Sequence, residues 1–392
     1  MKIAHITVSY WTRIAGASEY IRNISEELVK RSYDVKVLTE NGFFKAYEET
    51  INGVRVRRYP TISLHKQRRL FHNLLDPFSG FMNSLYSGFT PSIYFDIVKG
   101  KYNLIHATPI QCNSTILSFF AARKARIPFI CTPFFHYKVR EYYNTLLIDV
   151  LKKSDAVLTC TNAEKNILVK LGVDKSKIHK TTLGVNAELW KNASSERFRQ
   201  KFNLDSHPAI LFAAPKSEGK GIFFLLEAMK KIWKDNPDVY LVAMGFRPRV
   251  WLKYLSRLPK EQKERIIDLD LSRPSDQQMK RDAFAACDIY VMPSINDALG
   301  LVYLESWICG KPVIAADTPV MREVVSNGKD GFLVKLGNTE DLTRKITMLL
   351  KDENLGREMG KNGYYKVLKS HNWKLVTDNI INLYELLTRK EL

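Results

Sequence analysis

Two carboxylates with seven residues between them, Asp297 and Glu305, lie where a predicted strand passes through a loop into a predicted helix. The strand covers Ile289–Met292, and Gly300 opens the helix. Backbone N–H groups at a helix start lack intrahelical partners and face the positive end of the helix dipole, which suits a phosphate or the hydroxyls of a polar ligand. Glu305 could accept two hydrogen bonds from a vicinal diol such as ribose, and Asp297 could hold sugar hydroxyls. The spacing alone leaves a structural alternative open, in which Asp297 is a helix N-terminal acid and Glu305 an exposed helix residue.

Length, composition and charge limit the class of protein. The chain has 392 residues, too many for one ordinary core and suited to two α/β domains, and its apolar fraction of 45% is normal for a globular protein. The net charge of +19 fits nucleic acid, an anionic membrane surface, a phosphate-bearing substrate or an ordinary basic surface. A nucleic-acid site should show basic stripes with stacking aromatics, and the best such segment is too apolar, so we expect no nucleic-acid partner.

The beginning of the chain and its cysteines bear on the compartment. Residues 1–10 hold a short apolar stretch interrupted by His5, which indicates a first buried strand rather than a signal peptide. The sequence contains no run of about 18 apolar residues, so we expect no membrane-spanning helix. The five cysteines lack metal-ligand spacing and indicate small core residues in a reducing compartment. We therefore expect a cytoplasmic protein with no metal site and no structural disulfide.

Short β-rich runs alternate with helical patterns in two successive series, which is typical of mostly parallel sheets covered by helices on both faces. A polar stretch, 187–208, separates the two series. The expected strands of the first series are 2–9, 34–39, 54–59, 103–107, 129–132, 156–159 and 178–182. Those of the second are 209–213, 239–243, 266–269, 288–292, 312–315 and 331–334. Ligands bind beyond the carboxyl ends of such strands, so a cleft between two facing units is the expected site.

An unusual insert, 64–97, lies between two predicted strands and mixes basic residues with aromatic and aliphatic ones. Its basic cluster covers 65–69. A basic, aromatic-rich amphipathic segment can lie in a membrane interface. The alternative is a helical lid packed on the first domain, and both interpretations stay open.

The stretch 293–314 resembles the signature of the retaining glycosyltransferases of GT-B fold, family 4. Members carry P-S-x-x-E-x-F-G-L-V-x-L-E-A followed by G-x-P-V-I. This chain matches that pattern closely, with Asp297 in place of the first glutamate and Leu299 in place of the phenylalanine. The stretch 323–334 resembles the family's downstream pattern E-x-V-x-x-G-x-x-G-x-L-V. The similarity covers nearly the whole chain and implies an α/β protein of GT-B fold, with two Rossmann-like domains facing a cleft.

The resemblance implies roles for the residues of the signature. Glu305 would bind the donor ribose. Asp297 would lie at the transferred sugar, with a side chain one methylene shorter than the family's glutamate. The backbone that would cradle the sugar and the diphosphate belongs to Leu299, Gly300, Leu301 and Val302.

A second landmark of the family is an arginine followed by a lysine in a G-R-x-x-x-x-K-G loop after the first strand of the second domain. Here Lys220 and Gly221 match, and Pro215 stands where the arginine is expected. The leaving diphosphate gains negative charge as the glycosidic bond breaks, so cations are needed beside it. Lys220 is expected to supply one, and Lys216 is the candidate for the other. The alternative for Lys216 is a solvated loop residue.

Two residues of the first domain also match family positions. Gly16 aligns with the first glycine of the family's Gly-Gly loop, where it would let the backbone approach the diphosphate or the acceptor. His136 follows strand 129–132, where members often carry a histidine near the transferred sugar. Trp373 resembles the tryptophan from which the last helix returns to the first domain. The expected domains are thus an acceptor domain, 1–187, a donor domain, 188–372, and a C-terminal helix, 373–392.

The resemblance implies a hexosyl transfer from a UDP-, GDP- or ADP-sugar to a glycan or a lipid-linked acceptor. The transfer would retain the anomeric configuration and need no metal or other cofactor. His136, Asp297 and Lys220 would be catalytic, and an anionic membrane surface would be a further partner. Two alternatives stay open: a non-catalytic subunit that binds nucleotide-sugar, and a nucleotide-sugar epimerase of the same fold.

Overall fold

A computed structural model describes residues 1–12, 16–42, 45–62, 88–271, 273–295 and 297–389. Its contacts divide the chain into two compact units, Met1–Leu183 with Trp373–Leu392, and Gly184–Asn372. The sequence placed the first boundary after residue 187. The division falls earlier because the Val185 N–H donates to the His371 carbonyl at 2.7 Å, which joins Val185 to the second unit.

A mostly parallel sheet forms the centre of the first unit. Its strands are β1 (Lys2–Thr7), β2 (Asp34–Glu40), β3 (Tyr47–Ile51), β4 (Val54–Tyr59), β5 (Leu104–Ala107), β6 (Phe129–Cys131), β7 (Ala156–Thr159) and β8 (Ile178–Lys180). Within the described residues they lie in the order β3-β4-β2-β1-β5-β6-β7-β8, and β3 alone runs antiparallel to its neighbour. The inner strands are apolar and buried because helices cover both faces of such a sheet.

The helices of the first unit follow the strands in alternation. They are α1 (Gly16–Lys30), α2 (Ser92–Lys99), α3 (Asn113–Ala125), α4 (Thr145–Lys153) and α5 (Asn162–Lys170). In α1 the side chains of Tyr20, Ile24 and Leu28 are fully buried, at the spacing of one helical face. The helix therefore packs one apolar stripe against the sheet.

The second unit has a parallel sheet of its own. Its strands are β9 (Ala209–Ala213), β10 (Tyr240–Met244), β11 (Ile266–Leu269), β12 (Ile289–Met292), β13 (Val313–Ala316) and β14 (Gly331–Val334). Their order among the described residues is β11-β10-β9-β12-β13-β14, and every neighbouring pair is parallel. Each of the two units therefore has the doubly wound α/β architecture that the alternation of strands and helices predicted.

Ten helices belong to the second unit in the part of the chain that the structure describes. They are α6 (Ala187–Trp190), α7 (Ser195–Lys201), α8 (Ile222–Asp235), α9 (Arg249–Ser256), α10 (Lys260–Glu264), α11 (Gln277–Ala286), α12 (Leu301–Ile308), α13 (Met321–Val324), α14 (Thr339–Lys351) and α15 (Glu353–Ser370). The last helix, α16 (Trp373–Arg389), belongs to the first unit.

A buried polar network joins α16 to the sheet of the first unit. The Tyr384 hydroxyl lies 3.0 Å from His5 Nε2 and 2.5 Å from His106 Nδ1. The remaining ring nitrogens lie 2.7 Å from the hydroxyls of Ser25 and Thr132. Burial lowers the pKa of His5 to about 3 and that of His106 well below its usual value. Both imidazoles are therefore neutral, and this network is a structural one.

Most of the predicted insert, residues 64–87 and with them the basic cluster 65–69, lies outside the described residues. The described part begins with an antiparallel bridge in which Ile62 and Phe89 exchange two backbone hydrogen bonds of 2.9 Å. Helix α2 follows, with Ile93 and Ile97 buried and Phe95 exposed. No described helix is long and apolar enough to cross a membrane.

Candidate functional site

Three loops of the second unit begin at the same edge of its sheet. Strands β9, β10 and β12 are parallel neighbours, so the loops 214–221, 245–248 and 293–300 all leave from their carboxyl ends. In doubly wound sheets this edge is where ligands bind. All the residues of this unit that the sequence placed in a donor site lie on two of these loops or on helix α12.

Asp297 and Lys220 come together at this edge. The Lys220 ammonium donates a hydrogen bond to Asp297 Oδ1, and the two form an ion pair. The Asp297 side chain is 9% exposed and that of Lys220 is 24% exposed. Asp297 Oδ2 is buried and has no hydrogen-bond partner among the described residues. A buried carboxylate oxygen normally has such a partner, so this oxygen has unused capacity to accept a hydrogen bond.

Backbone packing explains why Lys220 reaches Asp297 across two loops. Gly221 has φ +81°, and a Cβ at this position would overlap the carbonyl oxygen of Pro293. The Gly219 carbonyl accepts a hydrogen bond of 3.0 Å from the Ile295 N–H. Only glycine combines this backbone conformation with such a close approach. The Lys220 loop therefore lies directly on the loop that carries Asp297.

Helix α12 begins at the same loop, with Gly300 as its N-cap and no side chain capping it. Gly300 has φ +86°, and a Cβ there would lie 2.6 Å from the Tyr303 ring. Leu299 is buried, whereas Leu301 and Val302 are partly exposed. The first turn of α12 thus presents backbone N–H groups and a positive dipole end beside Asp297, as an anion site requires.

Glu305 lies on α12 and is buried, which excludes the alternative of an exposed helix residue. Its Oε1 accepts a hydrogen bond from the Lys280 ammonium of α11, and side-chain exposures are 7% and 9%. Its Oε2 is buried without a hydrogen-bond partner among the described residues. Glu305 therefore resembles Asp297: one oxygen is held by a lysine and the other has no hydrogen-bond partner among the described residues.

Sequence reasoning missed Lys280. The signal that could have found it is its spacing, because Lys280 stands three and four residues before the buried Ala283 and Phe284 on one face of α11. A lysine on a buried helix face needs a carboxylate partner. The sequence alone does not name Glu305 as that partner.

The sequence offered two interpretations of Lys216, a cation beside the diphosphate or a solvated loop residue. The structure agrees with neither, because the Lys216 side chain is not exposed. Its side chain is fully buried, and the ammonium lies 2.5 Å from the Gly245 carbonyl, 2.7 Å from the Leu269 carbonyl and 2.9 Å from Asp268 Oδ1. Burial lowers the pKa of Lys216, while Asp268 acts in the opposite direction. An ammonium has three hydrogens, and three oxygens surround this one. The role that fits this placement is structural, joining the loops after β9, β10 and β11.

Gly16 stands at the first position of α1, next to residues 13–15, which lie outside the described part of the chain. A Cβ on Gly16 would meet no described atom within 4 Å, and its φ is not left-handed. The hydroxyls of Ser9 and Ser18 lie 2.6 Å apart and join the end of β1 to the start of α1. The described residues therefore show no steric requirement for glycine at 16.

His136 lies in the first unit, in the loop after β6. Its side chain is half-buried, and its ring centroid lies 5.3 Å from that of Tyr142. Two residues earlier Phe134 has φ +47°, a left-handed conformation that is unfavourable for a bulky residue. Strain of this kind collects at functional loops, which makes this one a candidate.

No cluster of three or more His, Cys, Asp or Glu residues that could hold a metal ion was found in the described ranges. The five cysteines form no disulfide, and four of them are buried.

The chain has two doubly wound units, and one of them has a helix start and two lysine–carboxylate pairs at the edge of its sheet. This arrangement is that of GT-B glycosyltransferases. Two family models match this chain: the one described as Glycosyltransferase Family 4 over residues 14–189, and the one described as Glycosyl transferases group 1 over residues 194–366. The chain belongs to the group 1 glycosyltransferases of GT-B fold.

Similar proteins agree with this assignment. An uncharacterized glycosyltransferase of Methanocaldococcus jannaschii is 21% identical over 98% of this chain and 98% of its own length. The N,N'-diacetylbacillosaminyl-diphospho-undecaprenol alpha-1,3-N-acetylgalactosaminyltransferase of Campylobacter jejuni is 24% identical over 63% of this chain and 64% of its own length. Some other curated relatives are also matched over only part of their length, as low as 47%. Among solved structures, Anabaena HepE in complex with UDP-glucose superposes with a TM-score of 0.77, at 17% identity over 98% of this chain and 99% of that chain.

Proposed function

We propose that this protein transfers a hexose from a nucleotide-sugar donor to a glycan or lipid-linked acceptor, with retention at the anomeric carbon. The observation that carries the proposal is the pair of buried carboxylates, Asp297 and Glu305, each with one oxygen held by a lysine and the other without a partner among the described residues. A sugar and a ribose each offer hydroxyl donors to such oxygens.

Each part of the donor has a matching group in the second unit. Glu305 Oε2 accepts from a ribose hydroxyl, and Asp297 Oδ2 accepts from a hydroxyl of the transferred sugar. The diphosphate lies at the backbone of the first turn of α12, formed by Leu299, Gly300, Leu301 and Val302. Lys220 adds a positive charge there. These donors stabilise the charge that develops on the diphosphate as the glycosidic bond breaks, without requiring a metal ion.

The first unit supplies His136 and Gly16. In the proposed reaction the acceptor oxygen attacks the anomeric carbon on the face that the diphosphate leaves, and a diphosphate oxygen helps to take the acceptor's proton. The new bond then has the configuration of the old one. His136 contacts the transferred sugar, and Gly16 allows the backbone to approach the diphosphate or the acceptor.

The acceptor class is proposed from a surface of the first unit. Phe95 and Phe120 are 59% and 46% exposed, on helices α2 and α3, which pack against each other. Lys99 and Lys124 are exposed on the same two helices. Exposed aromatic side chains beside lysines suit an anionic lipid surface, where a lipid-linked acceptor would be presented. The Campylobacter jejuni relative is named for a diphospho-undecaprenol substrate, which supports this choice.

A donor screen followed by a transfer assay tests the proposed activity. UDP-, GDP- and ADP-glucose are compared by thermal shift, and the donor that stabilises the protein is incubated with undecaprenyl-diphosphate-linked sugars. The expected result is release of nucleoside diphosphate that depends on the acceptor, with a product whose anomeric configuration equals that of the donor by NMR. Donor binding without acceptor-dependent release would instead support a non-catalytic subunit, and an inverted product would refute retention.

Vesicle sedimentation tests the membrane surface. The protein is mixed at low salt with vesicles of phosphatidylcholine, with or without phosphatidylglycerol. We expect binding only to the anionic vesicles, and a loss of that binding in Phe95→Ser/Phe120→Ser. The matched control is Tyr365→Ser, which removes an aromatic side chain of similar exposure, 57%, from the second unit. Equal binding by the double variant and the control would exclude α2 and α3 as the contact.

A further inference from the structure

The carboxylate of Glu164 connects two loops at the carboxyl edge of the first sheet. Glu164 lies in the first turn of α5 and is 2% exposed. Its Oε1 accepts a hydrogen bond of 2.8 Å from the Phe135 N–H, and its Oε2 accepts one of 2.9 Å from the Cys160 N–H. Phe135 follows β6 and Cys160 follows β7, and these strands are neighbours. One buried side chain therefore sets the spacing between the two loops.

The loop after β6 is fixed at every residue that precedes His136. The Thr132 hydroxyl lies 2.7 Å from His106 Nε2, and the Pro133 carbonyl accepts from the Ile110 N–H at 3.3 Å. The Phe134 ring packs edge-on against Tyr20, with 5.3 Å between ring centroids. The next residue, Phe135, is the one that Glu164 binds.

This last bond has a particular importance because of the strain beside it. Phe134 has φ +47°, and such a conformation persists only when its surroundings impose it. The hydrogen bond from the Phe135 N–H to Glu164 holds the backbone between that strained residue and His136. Loss of its acceptor would release the backbone to relax, and the imidazole of His136 would move with it.

Capping of α5 does not account for the bond to Phe135. The helix already has a side-chain cap, because the Thr161 hydroxyl accepts from the Glu164 N–H at 3.1 Å. A glutamate in the first turn often turns back to a backbone N–H just before the helix, and the bond to Cys160 is of that kind. The bond to Phe135 reaches a different loop, 29 residues away in the chain.

We infer that Glu164 is a positioning residue for His136, which holds the loop after β6 so that the imidazole has the orientation its role on the transferred sugar requires. This inference rests on the proposed function of His136. Glu164 itself is 2% exposed, so the inference gives it no contact with the donor or the acceptor.

The protonation of Glu164 should tune this positioning near neutral pH. Burial raises the pKa of Glu164 to about 7, although the hydrogen bonds from Phe135 and Cys160 lower it. The titratable groups that face it are Tyr20 and the thiols of Cys131 and Cys160, whose pKa values burial raises, so they stay neutral. Protonation places a hydrogen on one carboxyl oxygen and weakens one of the two backbone hydrogen bonds. The loop is therefore held fully above pH 7 and less firmly below it.

The first test compares two carboxylate-to-amide variants. Glu164→Gln keeps the size of the side chain but faces one of the two backbone N–H groups with an NH₂ group. The matched control is Asp155→Asn, because Asp155 accepts a hydrogen bond of 2.8 Å from the Phe129 N–H at the other end of β6. We expect Glu164→Gln to lower kcat by about 10- to 100-fold with little change in the donor KM. Asp155→Asn should keep the wild-type kcat at a temperature where it is folded. Equal losses of kcat in the two variants would overturn the inference.

The pH profile separates positioning from stability. The wild-type rate should rise with pH through about 7, and Glu164→Gln should lack this limb. The limb should hardly shift with temperature, because carboxyl ionisation has little enthalpy, whereas an imidazole limb would shift. A limb that persists unchanged in Glu164→Gln contradicts the proposed role.

A second readout does not depend on turnover. The histidine side chains are labelled with ¹³C and ¹⁵N, and the His136 signal is assigned by its loss in His136→Gln. The inference requires that Glu164→Gln displaces the His136 imidazole signal and that Asp155→Asn does not. An unmoved signal overturns the inference even if the protein transfers sugar. A displaced signal supports it even if the wild type transfers none, in which case only the proposed function fails.

Discussion

Lys216 and Lys220 stand in one loop of the second unit, yet the structure uses them in opposite ways. The Lys216 ammonium is fully buried, with two backbone carbonyls and Asp268 around it. The Lys220 ammonium is partly exposed and shares a hydrogen bond with one oxygen of Asp297. The first lysine donates two hydrogen bonds to backbone carbonyls and pairs with Asp268, whereas the described contact of the second is with Asp297 alone, which leaves donors for a ligand.

The difference separates a structural cation, Lys216, from Lys220, the proposed catalytic one. Position in a loop at the carboxyl edge is common to both, and so is an acidic partner. What differs is the exposure of the lysine side chain, which is 0% for Lys216 and 24% for Lys220. Asp297 Oδ2 is buried without a hydrogen-bond partner among the described residues, so the Asp297–Lys220 pair is incomplete. An incomplete buried pair is unfavourable for folding alone, and a ligand that completes it would be bound in turn.

Removal of Lys220, the proposed catalytic cation, should have the largest effect. Lys220→Ala is expected to lower kcat by about 100- to 1000-fold, because one donor to the developing charge on the diphosphate is lost. Steady-state kinetics with the donor identified by thermal shift would measure this. The control is Lys231→Ala, which removes a lysine paired with Glu340 on the exposed surface of the same unit and should leave kcat within about twofold. If the two variants have similar rates, Lys220 is not the catalytic cation.

Removal of the structural lysine, Lys216, should instead lower stability and leave activity nearly unchanged. Lys216→Met is expected to lower the free energy of unfolding by about 3 kcal/mol, the low end for a broken buried ion pair, because Arg247 still pairs with Asp268. The measurement is urea unfolding followed by circular dichroism. The specific activity of the folded fraction should stay within about threefold of the wild type, since the change is to stability. A variant that is stable and yet inactive would return Lys216 to the donor site.

The strands of both sheets show how far the sequence predicts this fold. Strands β7, β9, β11 and β14 have the bounds predicted for them, because each is a short run of mostly apolar residues between polar ones. Strand β3 was not predicted. Its sequence, Tyr47-Glu48-Glu49-Thr50-Ile51, is polar because it is an exposed edge strand.

Partners distant in the chain explain why β3 could not be predicted. Glu49 binds Arg58 of β4 at 2.5 Å, and Glu48 binds Lys36 of β2 at 2.8 Å. These pairs exist only after β2 and β4 are in place. Local apolar periodicity does not reveal these pairs, whereas it is sufficient to predict a strand that is buried on both faces.

Dependence on partners that are distant in the chain also explains which site residues the sequence could predict and which it missed. Asp297 and Glu305 could be singled out because they lie near a helix start in one continuous stretch. Lys280 could not, because it reaches Glu305 from another helix, α11. Lys216 was placed in the donor site because its loop is at the right edge, but its burial depends on Asp268 and on two carbonyls from the loops after β10 and β11. Loop position can be predicted from sequence, and the direction of a side chain within the loop cannot.

Lys280 has features of both lysines and should give the smallest effect. It is buried, as Lys216 is. Like Lys220, it pairs with a carboxylate that has one oxygen without a hydrogen-bond partner among the described residues. Its removal leaves the Glu305 carboxylate buried without the cation that holds Oε1, so the carboxylate is no longer fixed in place for the proposed ribose hydroxyl. Lys280→Gln is therefore expected to raise the donor KM by about 10-fold, the loss of about one hydrogen bond to a charged group. The ribose contact is the same before and during the reaction, so kcat should change by less than about threefold.

The matched control for this test is Lys366→Gln. Lys366 also pairs with a buried carboxylate, Asp330, at 2.7 Å, and its ammonium lies 4.7 Å from the centroid of the Trp307 ring. Unlike Glu305, Asp330 binds with both oxygens, accepting from the Ser326 N–H at 2.9 Å as well as from Lys366. Both variants should therefore be destabilised, but only Lys280→Gln should change the donor KM. An equal rise in both would mean that the KM responds to the stability of the second unit, and an unchanged KM in Lys280→Gln would remove Glu305 from the ribose site.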